Sequence, residues 1–248
     1  MIIKTYLRDI SNVTIICAKM KPARTDIIML FSKSKVLYAL FDWDGTLADN
    51  REVVVSTINQ VLSEYKRGTW EIVSNLRNPK LSLRDNFINF FGDNSLEAYE
   101  RYVQLYKINA PKTVKSFPYA KETLLQIKEL GAELMIMTNK DRRLLDVELP
   151  LLYNPDMFSR IVCGHEALRD KPYPEHIFYT LRGLLSPEEI NSEVVWMIGD
   201  SNQDSDCALS AGALPIRVNQ TLFAEDSSSN SIAYFNNFAE FYDFLVED

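Results

Sequence analysis

Asp42 and Asp44 stand two residues apart in the hexapeptide Asp42-Trp43-Asp44-Gly45-Thr46-Leu47. Carboxylates so spaced can divide one reaction between them. One attacks a phosphoryl group, and the other handles the proton of the leaving oxygen. The apolar run Val36-Leu37-Tyr38-Ala39-Leu40-Phe41 precedes them and predicts a buried parallel strand. Gly45 then lets the backbone turn. Both carboxylates should therefore emerge at the C-terminal end of a strand, where open α/β sheets build their sites. Alone, such a pair after a strand could also be helix capping.

Three later segments give the pair its meaning. Leu134-Met135-Ile136-Met137-Thr138-Asn139-Lys140 is a second apolar strand with a polar tip. A hydroxyl and an amide at a strand tip can donate to phosphoryl oxygens. Thr138-Asn139 can equally be a capped turn before a helix at Asp141. Lys171-Pro172-Tyr173-Pro174 sets one lysine before a kinked entry to a helix. Val194-Val195-Trp196-Met197-Ile198-Gly199-Asp200-Ser201-Asn202-Gln203-Asp204 is a third strand ending in paired carboxylates. The small residues Ala208, Ala211 and Gly212 follow, in a helix able to pack close to the sheet.

In this order the four segments resemble the four motifs of the haloacid dehalogenase (HAD) superfamily, over residues 35–215. The resemblance implies an α/β fold: a Rossmann-like doubly wound parallel sheet core with an inserted small α-helical cap. It implies that Asp42 is the nucleophile, forming an aspartyl-phosphate, and that Asp44 is the general acid and base. Lys171 would be the motif lysine, a point charge offsetting repulsion between carboxylates and phosphate. Thr138 and Asn139 would orient the phosphate. Asp200 and Asp204, with Asp42 and the Asp44 carbonyl, would hold one Mg²⁺, a hard cation that prefers oxygen ligands. Because the spacing to Ala208, Ala211 and Gly212 follows the family pattern, the resemblance implies Asp204 rather than Asp206 as the second acid. Lys140 fits the Thr-Asn-Lys of a subset resembling phosphoglycolate phosphatase, with its own role open.

At 248 residues the chain can hold one large α/β domain, or a core plus an inserted module. No apolar stretch approaches the ~20 residues of a membrane-spanning helix. Val13–Ala18 is too short for a signal peptide and is followed closely by Lys19 and Lys21. Cys17, Cys163 and Cys207 form no CxxC pair, so neither a disulfide framework nor a zinc site is indicated, and a reducing cytoplasm is expected. The net charge of −7 is uneven. Residues 1–35 carry seven Lys/Arg against two Asp/Glu, and residues 50–117 carry ten against seven. The acidic remainder contains the motifs, which suits a Mg²⁺ site and is a poor surface for nucleic acid. No membrane partner is expected either, and the oligomeric state is not legible.

From Asp49 to Phe117 helical periodicity replaces strands: Val53, Val54, Ile58, Val61 and Leu62; then Phe87, Ile88, Phe90 and Phe91; then Ala98, Tyr102, Leu105 and Tyr106. The expected organisation is an N-terminal extension of unknown role (1–34), a core (35–49 and 118–248) and a helical cap (50–117). Leu81-Ser82-Leu83-Arg84-Asp85 would be a specificity loop, with Arg84 either binding a substrate carboxylate or second phosphate, or standing as an exposed helix arginine. After Pro118, helix and strand alternate, as a doubly wound sheet requires. In residues 1–35, Val13–Ala18 and Asp26–Phe31 look like two strands joined at Lys21-Pro22-Ala23-Arg24. His165 and His176 match no motif and are expected to be structural.

The expected activity is a Mg²⁺-dependent phosphatase, phosphoglycolate phosphatase-like, acting on a small phosphorylated metabolite. The alternatives are a sugar phosphomutase, a nucleotidase or pyrophosphatase, and a non-catalytic binding protein on the same scaffold. Asp44 argues against a dehalogenase, which normally lacks that second aspartate.

Overall fold

The computed structural model describes residues 9–10, 13–14, 31, 35–219 and 232–247. In chain order the strands are β1 (Asp9–Ile10), β2 (Val13–Thr14), β3 (Tyr38–Phe41), β4 (Ala48–Asp49), β5 (Lys115–Ser116), β6 (Glu133–Met137), β7 (Arg160–Val162), β8 (Val195–Gly199), β9 (Leu214–Val218) and β10 (Ala233–Phe235). Six of them form one parallel sheet in the order β10-β9-β8-β3-β6-β7. The first predicted strand is thus central, with Leu40 in register with Met135 on one side and Met197 on the other.

The strands are mostly apolar because both faces of the sheet are covered. Ala39, Phe41, Ile136, Trp196, Ile198 and Ile216 face one layer, built by the helices Ala120–Glu129 and Phe238–Val246. Leu40, Met135, Met137 and Met197 face the other, where Ile177, Leu181, Cys207, Ala208 and Ala211 come from the helices Glu175–Thr180 and Asn202–Ala211 and the turn between them. Alternate residues of a strand point to opposite faces, so one apolar run serves two cores. This is the doubly wound α/β architecture the alternation of elements predicts.

A helical segment leaves the sheet through β4 and returns through β5, which pair antiparallel with Ala48 opposite Ser116. Between them lie the helices Arg51–Glu64, Trp70–Val73, Phe87–Phe91 and Ser95–Thr113. They bury a cluster of their own that includes Ile58, Leu62, Phe87, Phe91 and Tyr102. Leu144, from the core helix Arg142–Leu152, joins that cluster.

The N-terminal expectation needs correction. Val13–Thr14 pairs with Asp9–Ile10. Of Asp26–Phe31 only Phe31 is described. It is helical, and its ring lies 4.7 Å from that of Trp196 and 4.9 Å from that of Phe244. The rest of both expected strands lies outside the described residues. No helix among the described residues is long and apolar enough to cross a membrane. Cys163 and Cys207 are buried free thiols, and burial pushes each up to about 12.

Candidate active site

The site forms where β3, β6 and β8 end side by side. The Asp42 N–H donates to Ile198 O at 2.9 Å, so the ladder runs up to the first carboxylate. Gly45 then turns the chain with a φ of 80°. Asp42, Asp200 and Asp204 are all buried, and each offers a carboxylate oxygen within 4.8 Å of the others. Like charges so close are unstable in a dry site without a counter-charge. Lys171 supplies it: Nζ lies 2.7 Å from Asp42 Oδ1 and 2.6 Å from Asp204 Oδ1. Burial pushes the Asp42 carboxyl up to about 6, against the opposing pull of Lys171 and with added repulsion from Asp204. Burial also opposes the Lys171 charge, but Asp204 and Asp42 outweigh it and hold the ammonium above the usual lysine range.

Asp204 sits in the first turn of Asn202–Ala211, where its Oδ2 accepts from the Ser201 N–H at 3.0 Å and the Ser201 hydroxyl at 2.6 Å. This capping box folds the side chain back over the strand end, where any Cβ on Gly199 would lie 2.2 Å from Asp204 Cγ. Close approach is therefore what requires glycine there.

Thr138 is buried at the tip of β6 and lines the cavity. Its Oγ1 accepts from the Lys140 N–H at 3.2 Å, leaving the hydroxyl proton to be donated elsewhere. Asn139 follows it in the chain and lines the same cavity. Its side-chain Nδ2 donates to Lys171 O at 2.8 Å and Gln203 Oε1 at 3.0 Å, and its Oδ1 accepts from the Lys171 N–H at 3.0 Å. Its side chain thus grips the backbone of Lys171, whose loop folds against the β6 tip.

Asp44 lines the same cavity, its side chain one-third exposed. Lys140 Nζ lies 2.7 Å from Asp44 Oδ1, and Asn50 Nδ2 donates to the same oxygen. Lys140 also meets Glu148 Oε2 and the Tyr106 hydroxyl, each at 3.2 Å. Burial works against this ammonium, yet Asp44 and Glu148 together hold its pKa above the usual lysine range. Neither Glu148 nor Tyr106 was singled out from the sequence as a site residue. A signal existed for Glu148: it shares a buried helix face with Leu144, Leu145 and Leu149, and a buried carboxylate needs a partner.

The cavity is about 110 Å³, and the insert contributes Arg77, Ser82 and Arg84 to it. Arg84 is not the exposed helix arginine of the alternative reading; its side chain is 14% exposed. Its Nη2 lies 3.1 Å from Asp170 Oδ2 and its Nε 3.3 Å from Asp85 Oδ1. Gln203 adds a second tie across the same seam, donating to Pro79 O at 2.5 Å. His176 is fully buried, and neither ring nitrogen has a hydrogen-bond partner among the described residues.

Buried acids and two buried lysines around adjacent strand tips, under a helical insert, define a hydrolytic class of α/β protein. The sequence pattern of the haloacid dehalogenase-like hydrolases matches residues 39–218, and the chain belongs to that family. It is 27% identical over 189 residues to pyrophosphatase PpaX of Bacillus mycoides, covering 76% of this chain and 86% of that one. The Bacillus cereus pyrophosphatase PpaX is also 27% identical over 189 residues, 76% of this chain and 85% of its own. Among solved structures, a predicted phosphoglycolate phosphatase from Haemophilus somnus superposes with a TM-score of 0.72 at 20% identity, over 85% of this chain and 98% of that one. CbbY from Rhodobacter sphaeroides, in complex with phosphate, superposes with a TM-score of 0.67 at 18% identity, over 83% and 96%. At those identities the structural likeness is one of fold.

Proposed function

We propose that the protein is a Mg²⁺-dependent phosphomonoesterase of small phosphorylated metabolites, working through an aspartyl-phosphate on Asp42. The observation that carries this reading is the Lys171 ammonium held between Asp42 and Asp204, with Asp44 on the same cavity. The Asp42 carboxylate attacks phosphorus, forming an O–P bond as the ester P–O bond breaks. Asp44 gives its proton to the departing alkoxide. It then takes a proton from a water that attacks the same phosphorus, freeing Asp42 and inorganic phosphate. Thr138 donates to a phosphoryl oxygen, and Lys171 offsets charge in both steps. Asn139, beside Thr138 on the cavity, would help orient the phosphate, and its side chain also holds Lys171.

The clustered buried carboxylates are a hard-oxygen donor set that fits Mg²⁺. Asp42, Asp200 and Asp204, with the Asp44 carbonyl, would hold it. When bound, Mg²⁺ compensates charge between the nucleophile and the phosphoryl oxygens. Residues 50–117 act as a cap over the core of 35–49 and 118–248, excluding water during transfer. A cavity of about 110 Å³ suits a small leaving group. Arg84 would meet a second anionic group on it, exchanging its contact with Asp170 for that group.

A second reading, inorganic pyrophosphate as substrate, draws on the relatives named pyrophosphatase PpaX. It uses the same residues, with Arg84 on the leaving phosphate.

The test is phosphate release from p-nitrophenyl phosphate, 2-phosphoglycolate and pyrophosphate, with Mg²⁺ or with chelator, for the native protein and Asp42→Asn. Metal-dependent release from a monoester, absent in the variant, is the expected result. Release from pyrophosphate alone favours the second reading. Release that survives Asp42→Asn in a contaminant-free preparation overturns the mechanism.

A further inference from the structure

Glu148 is fully buried, yet all its hydrogen-bonding capacity is used. Oε2 accepts from Trp43 Nε1 at 2.5 Å and faces Lys140 Nζ at 3.2 Å. Oε1 accepts from the Tyr106 hydroxyl and from Asn50 Nδ2, the latter at 3.4 Å. These four donors come from four places: the strand-end aspartate motif, the loop after β6, the start of the insert, and the insert helix Ser95–Thr113. A carboxylate this buried persists only when every lone pair is met, so its partners fix one another in turn.

Two of those partners bind Asp44. Lys140 has three ammonium protons and three acceptors: Asp44 Oδ1, Glu148 Oε2 and the Tyr106 hydroxyl. Its head is therefore held as a tripod. Lys140 and Asn50 both donate to Oδ1 of Asp44, and Oδ2 accepts no hydrogen bond from the described residues. The two oxygens of one carboxylate are thereby made unequal: one is anchored, the other left for the cavity that Asp44 lines.

We infer that Glu148 is a positioning residue that, through Lys140 and Asn50, orients Asp44 so that Oδ2 meets the leaving-group oxygen. This rests on the phosphomonoesterase reading above. Because Tyr106 belongs to the insert and Glu148 to the core, the orientation also depends on the insert being seated. Glu148 touches no substrate; it acts on the proton-transfer partner alone.

A role confined to Asp44 has a chemical signature. An alkoxide leaving group needs a proton as the P–O bond breaks, whereas p-nitrophenolate leaves with little help. The experiment compares kcat/KM for 2-phosphoglycolate and for p-nitrophenyl phosphate, with Mg²⁺, in the native protein, Glu148→Gln and Tyr106→Phe. kcat/KM reports the first transfer, so slow hydrolysis of the aspartyl-phosphate does not mask the effect. We expect Glu148→Gln to lose roughly tenfold or more on 2-phosphoglycolate, and less than about threefold on p-nitrophenyl phosphate. Tyr106→Phe, which keeps the ring and removes one hydroxyl, should show the same bias at smaller size. If Glu148→Gln fails to fold, the bias in Tyr106→Phe decides. Equal losses on both esters mean a merely structural role and overturn the inference, as does no loss on either. Native protein inactive on both esters overturns the phosphomonoesterase reading itself, and this inference with it.

Discussion

Lys171 Nζ lies 2.7 Å from Asp42 Oδ1, the ammonium and the carboxylate both buried. The pair is maintained by a second carboxylate, Asp204, and by the Asn139 amide that grips the Lys171 backbone. Lysine acts here as a point charge, so its replacement by a neutral side chain of similar length isolates the charge.

Lys171→Met should lower phosphate release at least about a hundredfold, the size of losing one preorganised electrostatic contact in a dry site. Steady-state release from p-nitrophenyl phosphate measures this. A loss smaller than tenfold, in protein with a native circular-dichroism spectrum, contradicts the role given to Lys171.

Gly199→Ala tests the close approach at the end of β8. The new Cβ would lie 2.2 Å from Asp204 Cγ, so the carboxylate must move off Lys171 and Ser201. Overpacking of this kind costs about 1–3 kcal/mol. We expect a lower unfolding midpoint in urea together with loss of Mg²⁺-dependent activity. A variant as active and stable as the native protein would exclude the close packing of Asp204 against Gly199.

Arg84→Ala removes the contact to Asp170 across the seam between the insert and the core. If Arg84 binds a second anionic group, KM should rise for 2-phosphoglycolate and change little for p-nitrophenyl phosphate, which carries no such group. A loss worth about 1.5–3 kcal/mol is expected for a hydrogen bond to a charged group. Equal KM changes for both esters would assign the residue to holding the insert alone.

His176 sets part of the acid limb of stability. Burial and the nearby Lys171 charge lower its pKa to about 3, against 6.5 for the free side chain. Between those values the unfolded chain binds a proton that the folded protein excludes, so stability is lost as pH falls below 6.5. From pH 7 to 5 this group should remove about 2 kcal/mol. His176→Leu breaks no side-chain hydrogen bond among the described residues and should flatten that limb. Urea unfolding at the two pH values compares the slopes; parallel losses in both proteins would exclude His176 as the cause.

The central strand and the tips of its neighbours were legible because apolar runs ending in Asp42, Thr138 and Asp200 are local patterns. The helical periodicity of Val53–Leu62, Phe87–Phe91 and Ala98–Tyr106 was local too, and each lies in an observed helix. The final strand, Ala233–Phe235, was missed, since three residues are too few to show a period. The type and strand-tip place of Asn139 make it a phosphate-orienting candidate. Its side chain also binds the Lys171 loop and Gln203, and no spacing reports that fold-back.

The chain by itself determined most of the elements, their order, and which acids and lysines stand near their ends. Burial on one or two faces writes a period of two or 3.6 into any sequence. Tertiary structure alone decided which of those charges meet. Lys140 and Asp44 are 96 positions apart, and Trp43 and Glu148 are 105 apart. A contact between elements leaves no period along the chain. Glu148 became a hub only when packing removed water from it and four donors arrived in its place.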